Sequence, residues 1–421
     1  MKLYPSKKVC SRSLMSLTLA LTTQVWLGAT AAKAVTFKFN PAHNTPQAAI
    51  DGFAAAGSLW SALFNDPVTV NLDISFGSLD PADLGNTSTE YYFNSYSAVR
   101  AALTQDITST DDAIAVSNLP QGSSFRLLTN YTSNNPNGSG SPTPYLDQDG
   151  GANNSNILMT KGNAKALGLL AGNSAERDAT IAFNSQFNWD FNRTDGIAAG
   201  AYDFVGAAAH EIGHTLGFLS GVDVLDFNSP YTSNGTPYFF PDNTFTFVSP
   251  MDLFRYSRNS VAYGKSVIDW TASSVDKYFS TNGGIKKLAS FATGANHGDG
   301  YQAGHWKDNL NLGMMDPTGA QGELLQVSSR DIQLFDVIGW NLAGPSTSGV
   351  LPASLTSSSQ TGAKNPSAAG APTSTAGSLA LSPEAESSTS VPEPASLVGL
   401  LVIGMLGLSS RLQQQVHKLF H

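Results

Sequence analysis

The chain has 421 residues, of which 13% are charged and one is a cysteine, and its formal net charge at pH 7 is −9. This acidic balance argues against a nucleic-acid-binding protein, because neutralising phosphates requires clustered lysine and arginine. A single cysteine also excludes a disulfide framework and a cysteine-based structural zinc site.

The first 34 residues have the pattern of a secretory signal peptide. An apolar stretch over residues 14–27 follows four basic residues, Lys2, Lys7, Lys8 and Arg12. The small-residue sequence Ala32-Lys33-Ala34 then provides a cleavage site. A membrane-spanning anchor is the alternative, but the apolar stretch is shorter than the roughly 20 residues that a spanning helix needs. We therefore expect residues 1–34 to be removed and the mature protein to be exported.

Strand and helix patterns alternate from residue 35 to residue 340. Period-two alternation and short apolar runs predict strands over residues 35–39, 68–76, 157–160 and 179–183. Helical spacing of apolar residues predicts helices over residues 48–64, 97–103 and 328–338, the last of which starts with the capping box Ser328 and Asp331. This mixture predicts an α+β domain over residues 35–342.

Residues 146–154 concentrate oxygen-bearing side chains on a glycine-containing loop. Asp147, Asp149 and Asn153 alternate with other residues there, and oxygen ligands on a flexible loop suit Ca²⁺. The spacing does not match an EF-hand loop, and an ordinary turn rich in Asp, Gly and Asn accounts for the same residues. Both interpretations stay open at this point.

The most informative segment is an Ala-rich helix predicted over residues 204–216, with Asp203 as its N-cap. His210 and His214 are four residues apart, so both imidazoles project from one face and can converge on one tetrahedral ion. Glu211 lies beside them, where its carboxylate can accept the proton of a metal-activated water and later protonate the leaving amine. A chance His-Glu-x-x-His match is the alternative, but the apolar helix and the capping aspartate favour a zinc site.

A catalytic zinc site needs a third protein ligand and leaves a fourth position for water. The candidates that follow the helix are Asp223, His297, His305 and Glu323. Zinc-site geometry alone does not choose among them.

Two motifs together resemble the leishmanolysin branch of the metzincin peptidases. The helix reads His-Glu-x-x-His-x-x-Gly-Phe, and a His-Trp pair at residues 305–306 and a Met-Asp-Pro turn at residues 315–317 follow after a long interval. One departure from most metzincins is Ser220, which stands six residues after His214 where they have a third histidine.

This resemblance covers about residues 179–340 and implies several expectations. His305 would be the third zinc ligand, and Met315 would be the turn methionine that packs beneath the metal. The fold would be a metzincin-like two-lobed peptidase domain, with a twisted mixed sheet, the active-site helix, and an irregular C-terminal lobe with a closing helix. Residues 179–183 would form the edge strand to which a peptide substrate adds.

The composition changes after residue 342. Residues 343–390 are rich in Ser, Ala, Thr and Pro, which predicts a disordered linker. Residues 391–421 start with Val-Pro-Glu-Pro and continue into an apolar run over residues 395–408 and a basic residue, Arg411. This segment resembles the PEP-CTERM sorting signal of exported bacterial proteins. The resemblance implies an exosortase-type processing partner, a short transmembrane helix, and membrane contact through this segment only.

These patterns predict an extracellular or cell-surface zinc-dependent endopeptidase that acts on proteins or peptides, with Zn²⁺ as cofactor and Ca²⁺ as a second candidate. Two alternatives remain. One is a catalytically inactive surface or matrix-binding protein on a metzincin-like scaffold, and the other is a zinc hydrolase that acts on a non-peptide bond. The intact Glu211 favours an enzyme over the inactive scaffold, because a degenerate site does not need the base.

Overall fold

A computed structural model describes residues 34–79, 81, 83–233, 236–344 and 391–392. The predicted signal peptide therefore lies outside the described residues except for residue 34. The predicted linker and sorting segment also lie outside them, except for residues 343–344 and 391–392. Within the described ranges, no helix is long and apolar enough to cross a membrane.

The helices of the described residues are α1 (Gln47–Ser61), α2 (Tyr96–Gln105), α3 (Thr110–Asn118), α4 (Ala152–Ser155), α5 (Lys161–Ala166), α6 (Phe204–Leu216), α7 (Val222–Phe227), α8 (Arg258–Ala262) and α9 (Ser329–Val337). Two 3-10 helices span Asp242–Thr244 and Met251–Phe254.

The strands are β1 (Thr36–Pro41), β2 (Thr69–Gly77), β3 (Gly85–Thr89), β4 (Tyr91–Ser95), β5 (Leu127–Thr129), β6 (Tyr145–Asp147), β7 (Asn156–Thr160), β8 (Ala179–Asn184), β9 (Trp189–Asp190), β10 (Tyr202–Asp203), β11 (Tyr231–Ser233), β12 (Thr236–Tyr238), β13 (Arg255–Tyr256), β14 (Ile268–Asp269), β15 (Lys277–Phe279), β16 (Ala289–Phe291), β17 (Thr318–Gly319) and β18 (Val391–Pro392). Every helix and strand predicted within residues 35–342 is present. The architecture is α+β, as predicted, with several small sheets.

The four-stranded sheet has the order β1-β2-β8-β3. Strands β1, β2 and β8 run parallel, and β3 pairs antiparallel with β8. Alternate residues of β2 (Val70, Leu72 and Ile74) are buried, which is the period-two pattern of a strand with one face on the core.

The expectation that residues 179–183 form an edge strand is wrong. Strand β8, predicted over residues 179–183, lies inside the sheet between β2 and β3. The edge strands are β1 and β3. The sequence of β3, Gly-Asn-Thr-Ser-Thr, contains no large apolar residue. Hydrophobic alternation therefore gives no signal for β3, because that pattern requires apolar residues at every second position.

Helices α1 and α6 pack against each other and against this sheet. The Phe53 ring lies 5.4 Å from that of Phe204 and 5.5 Å from that of Phe183, measured between ring centroids, with edge-to-face geometry. The indole of Trp60 donates a hydrogen bond to the carbonyl oxygen of Ala209 at 2.9 Å. These contacts fix α6 on the core and determine where its remaining surface points.

The C-terminal part consists of short strands and the closing helix α9. Ser328 and Asp331 form the predicted capping box at its start. The ring of Phe335 in α9 packs edge-to-face on Trp60, with ring centroids 4.9 Å apart. The indole of Trp340 donates to the carbonyl oxygen of Leu216 at 2.8 Å. Helix α9 is thereby attached to α1 and to the end of α6.

Candidate metal centre

Helix α6 has defined signals at both ends. The side chain of Asp203 accepts a hydrogen bond from the backbone N–H of Gly206 at 2.9 Å, which satisfies one of the N–H groups left unpaired at a helix start. The helix ends at Gly217, whose φ of +116° belongs to the left-handed region that glycine adopts without strain. The helix is buried over most of its length, so the position of its histidines is fixed by packing.

Three histidines converge at one point. The candidate ligand atoms of His210, His214 and His305 all lie within 4.8 Å of one another, and the Nε2 atoms of His210 and His214 are 3.1 Å apart. Nitrogen ligands at ordinary zinc distances in a tetrahedron are about 3.4 Å apart. The separation of the His210 and His214 nitrogens is close to this value, and the three histidines together could hold a metal ion.

The second nitrogen of each ring supports this role. Each Nδ1 atom faces a backbone carbonyl oxygen, at 2.7 Å for His210 and Met314, 2.7 Å for His214 and Phe218, and 3.2 Å for His305 and Gln302. A neutral imidazole that donates from Nδ1 presents the lone pair of Nε2. Such carbonyl partners fix the ring orientation of metal-ligating histidines. The residues present therefore fit Zn²⁺.

Glu211 lies beside the cluster and is 4% exposed. Its Oε2 accepts a hydrogen bond from the hydroxyl of Thr87 at 2.5 Å. Thr87 belongs to the edge strand β3, so this strand orients the carboxylate predicted to be the general base. The sequence analysis missed Thr87, because nothing in a short polar strand indicates that it meets α6.

Met315 packs directly against α6. It is fully buried, and a Cβ atom placed on Gly213 would overlap its Sδ atom. Gly213 is thus a position where close approach requires glycine. The backbone N–H of Trp306 donates to the carbonyl oxygen of Met315 at 2.9 Å, which joins the His-Trp segment to the methionine turn.

Asp331 connects these segments to α9. Its carboxylate accepts from the indole of Trp306 at 2.8 Å, from the backbone N–H of Met314 at 2.8 Å and from that of Met315 at 3.3 Å. Burial raises the pKa of this carboxyl, and the hydrogen bonds that it accepts act in the opposite direction. The sequence analysis assigned Asp331 a capping role only; its second role depends on contacts between distant segments.

Asp223 does not belong to the histidine cluster. Its carboxylate accepts from the backbone N–H groups of Ala303 at 2.5 Å and Gly304 at 3.0 Å. Burial raises the pKa of Asp223 to about 7. The guanidinium of Arg255, which is fully buried, donates to the carbonyl oxygen of Ala303 at 3.2 Å. Asp223 and Arg255 therefore hold the segment that precedes His305.

The other candidates for the third ligand also lie elsewhere. The ring of His297 stacks on that of Tyr131, with centroids 4.3 Å apart, and its Nε2 contacts the carbonyl oxygen of Ser229. The carboxylate of Glu323 accepts from the backbone N–H of Ala320 at 2.8 Å. Of the four candidates, the structure brings His305 alone to His210 and His214.

The predicted calcium residues are brought together in part. The carboxamide of Asn153 donates to Oδ2 of Asp147 at 2.6 Å, and both residues are buried. Asp149 is exposed, and its carboxylate accepts from the backbone N–H of Gly151 at 2.7 Å. Asp149 therefore stabilises a turn, whereas Asp147 and Asn153 face each other.

A family model described as SPBPB7E8-like matches residues 164–297, a range that includes His210, Glu211 and His214 and stops before His305. The match spans less than half of the chain. No curated protein and no solved structure matches the chain.

Proposed function

We propose that this protein is an exported zinc-dependent endopeptidase of the metzincin type, similar to the leishmanolysin branch. The observation that carries the proposal is the convergence of His210, His214 and His305 beside the oriented carboxylate of Glu211. The two-lobed metzincin fold belongs to the same proposal. It is supported by the mixed sheet against which α6 packs and by the short strands and closing helix α9 of the C-terminal part.

When bound, Zn²⁺ supplies Lewis-acid activation of a water molecule and of the scissile carbonyl. His210, His214 and His305 would hold the ion through their Nε2 atoms, because Nδ1 of each ring faces a backbone carbonyl oxygen. Glu211 accepts the proton of the attacking water and delivers it to the leaving amine. The hydroxyl of Thr87 donates to one oxygen of Glu211, which restricts the rotation of this carboxylate.

The edge strand β3 gives the substrate a place to bind. Among the described residues, β3 pairs with β8 alone. An extended peptide can add to the other side of such a strand through main-chain hydrogen bonds. A peptide on β3 would pass Glu211, because Thr87 of this strand contacts that residue. This arrangement favours hydrolysis within a polypeptide over hydrolysis of a small non-peptide ester.

Export and sorting are proposed from the sequence. The signal peptide would direct the chain out of the cytoplasm. The PEP-CTERM-like segment would be recognised by an exosortase-type enzyme, which leaves the protein extracellular or at the cell surface. The predicted boundary at residue 342 is supported by the backbone bridge between Phe64 and Leu342, which attaches this end of the domain to the segment after α1.

The test is Glu211→Gln in the full-length protein purified after export. The amide cannot accept the water's proton, so proteolysis of a denatured protein should fall by about 100-fold or more, while zinc content by elemental analysis stays at one per chain. The matched control is Glu323→Gln, which changes the same side chain outside the cluster and should keep full activity.

Retention of more than a few per cent of the wild-type rate by Glu211→Gln would contradict the role of Glu211. Wild-type protein that binds zinc but cleaves no protein or peptide would support the alternative of an inactive binding protein. Loss of wild-type activity on chelation, with recovery on adding zinc, separates a metal-dependent enzyme from a contaminating protease.

A further inference from the structure

The backbone just before His305 packs against the chain just after α6. A Cβ atom on Gly304 would lie 3.3 Å from the backbone nitrogen of Ser220 and 3.4 Å from the Cα atom of Leu219. These distances leave almost no room between the two segments, so the close approach depends on the absence of a side chain at residue 304. The third histidine therefore reaches α6 through a backbone contact at the residue directly before it.

Asp223 holds this contact from α7. It is 5% exposed. Its Oδ1 accepts a hydrogen bond from the backbone N–H of Ala303 at 2.5 Å, and its Oδ2 accepts one from that of Gly304 at 3.0 Å. Hydrogen bonds to an ionised acceptor are about twice as strong as those between neutral groups. Because the two N–H groups are consecutive, these bonds determine the position and the orientation of the peptide that leads into His305.

Arg255 holds the carbonyl side of the same segment. Its guanidinium is fully buried and donates to the carbonyl oxygen of Ala303 at 3.2 Å and to that of Ala292 at 2.6 Å. The backbone N–H of Ala292 in turn donates to the carbonyl oxygen of His305 at 3.0 Å. Asp223 and Arg255 carry opposite charges and both contact the backbone of Ala303, so each lowers the cost of burying the other.

We infer that Asp223 and Arg255 are positioning residues for the third metal ligand, because they hold the backbone that places His305 beside the other two histidines. A ligand that is already in place does not have to be ordered when an ion binds, so the entropy cost of ordering it does not weaken binding. The inference rests on the metal centre of the proposed function and not on peptidase activity. It also gives Asp223 a different role from that of a zinc ligand, the alternative that the sequence left open.

Asp226 on the same helix provides a matched comparison. It is 1% exposed, and its carboxylate accepts from the backbone N–H groups of Asn296 at 2.7 Å and His297 at 2.8 Å. Asp226 therefore holds the long segment between α7 and His305 by the same kind of contact, but further from the ligand along the chain. General loosening of this segment would weaken metal binding in both aspartate variants, whereas loss of positioning would weaken it in Asp223→Asn alone.

The experiment measures the zinc affinity of metal-free full-length protein by competition with a chelator of known affinity. It is done at pH 8, where Asp223 is ionised because its pKa is about 7. The carboxamide of Asp223→Asn cannot accept both N–H groups, since its nitrogen is a donor. Zinc affinity should therefore fall by about 10- to 100-fold, and Asp226→Asn should keep the wild-type affinity.

Arg255→Lys is the second variant, and it decides the matter if Asp223→Asn does not fold. Lysine keeps the charge but lacks the planar fork that binds two carbonyl oxygens. Zinc affinity should fall by about tenfold, and an unchanged affinity would overturn the inference.

Co²⁺ distinguishes a positioning residue from a ligand, because tetrahedral Co²⁺ absorbs visible light more strongly than octahedral Co²⁺. At saturating Co²⁺, Asp223→Asn should show the wild-type spectrum, since His305 still completes the site, whereas His305→Ala should not. A saturated Asp223→Asn protein with the spectrum of His305→Ala would overturn the inference, because Asp223 would then belong to the ligand set. Wild-type zinc affinity in Asp223→Asn, or equal losses in both aspartate variants, would overturn it as well. A wild-type protein that binds zinc but cleaves no peptide would contradict the proposed function alone, because these readouts do not use peptidase activity.

Discussion

Asp331 offers the sharpest test of how the site is held, because one buried carboxylate joins both segments that complete the histidine cluster. Its Oδ2 accepts from the backbone N–H groups of Met314 at 2.8 Å and Ser328 at 2.7 Å. Its Oδ1 accepts from the indole of Trp306 at 2.8 Å. In Asp331→Asn the amide nitrogen must face one of these two sets of donors, whichever way the carboxamide is turned.

The magnitude follows from the number of bonds lost. If the amide nitrogen faces Met314 and Ser328, two buried N–H donors lose their acceptor, each at a cost of about 1–3 kcal/mol. In that orientation the free energy of unfolding should fall by about 2–6 kcal/mol. Met314 supplies the carbonyl that faces Nδ1 of His210, and Trp306 follows His305 directly. Zinc affinity should thus fall by about 10- to 100-fold, as is typical for groups that orient metal ligands.

The assay measures unfolding by denaturant and zinc affinity by competition with a chelator of known affinity. The matched control is Asp336→Asn on the same helix, since Asp336 is also buried but bonds to Ser109, at 2.6 Å, away from the cluster. This control should leave zinc affinity unchanged. Wild-type zinc affinity in Asp331→Asn would refute the reasoning, whatever happens to stability. Equal losses of zinc affinity in both variants would refute it as well, because the effect would then be general destabilisation.

Three further predictions concern the ligands, the base and pH. His305→Ala should lose stoichiometric zinc, measured by elemental analysis, whereas His297→Ala should keep it; zinc at one per chain in His305→Ala would exclude His305 as a ligand. Thr87→Val should lower kcat/KM by about tenfold, the effect of one lost hydrogen bond, at unchanged zinc content. Thr87→Ser keeps the hydroxyl and should therefore keep the wild-type kcat/KM. A Thr87→Val enzyme with the wild-type rate would show that β3 does not orient Glu211. Burial raises the pKa of Asp66 to about 6 and those of Asp106 and Asp336 to about 7. Because the folded-state pKa values lie above the unfolded value, these groups cost no stability below about pH 4 and progressively more as the pH rises to about 7. Asp336→Asn should therefore raise Tm more at pH 8 than at pH 5, and an equal change of Tm at both values would contradict the assignment.

The sequence by itself determined the local part of the site. The four-residue spacing of His210 and His214 places them on one face of any helix, and Asp203 and Gly217 mark its ends. These features depend on helix geometry and on backbone conformation within a few residues. They could therefore be predicted without knowledge of the fold. The resemblance to known peptidases, and not the spacing, singled out His305 among its alternatives.

Only the tertiary structure decided which distant residues meet the helix. It brought His305 to the cluster across 305 − 214 = 91 positions of the chain. It also placed Thr87 on Glu211 and gave Asp331 its second role. The identity of the edge strand was predicted incorrectly for the same reason. Strand order and long-range hydrogen bonds depend on how whole elements pack, and the periodicity of one segment contains no information about its neighbour in space.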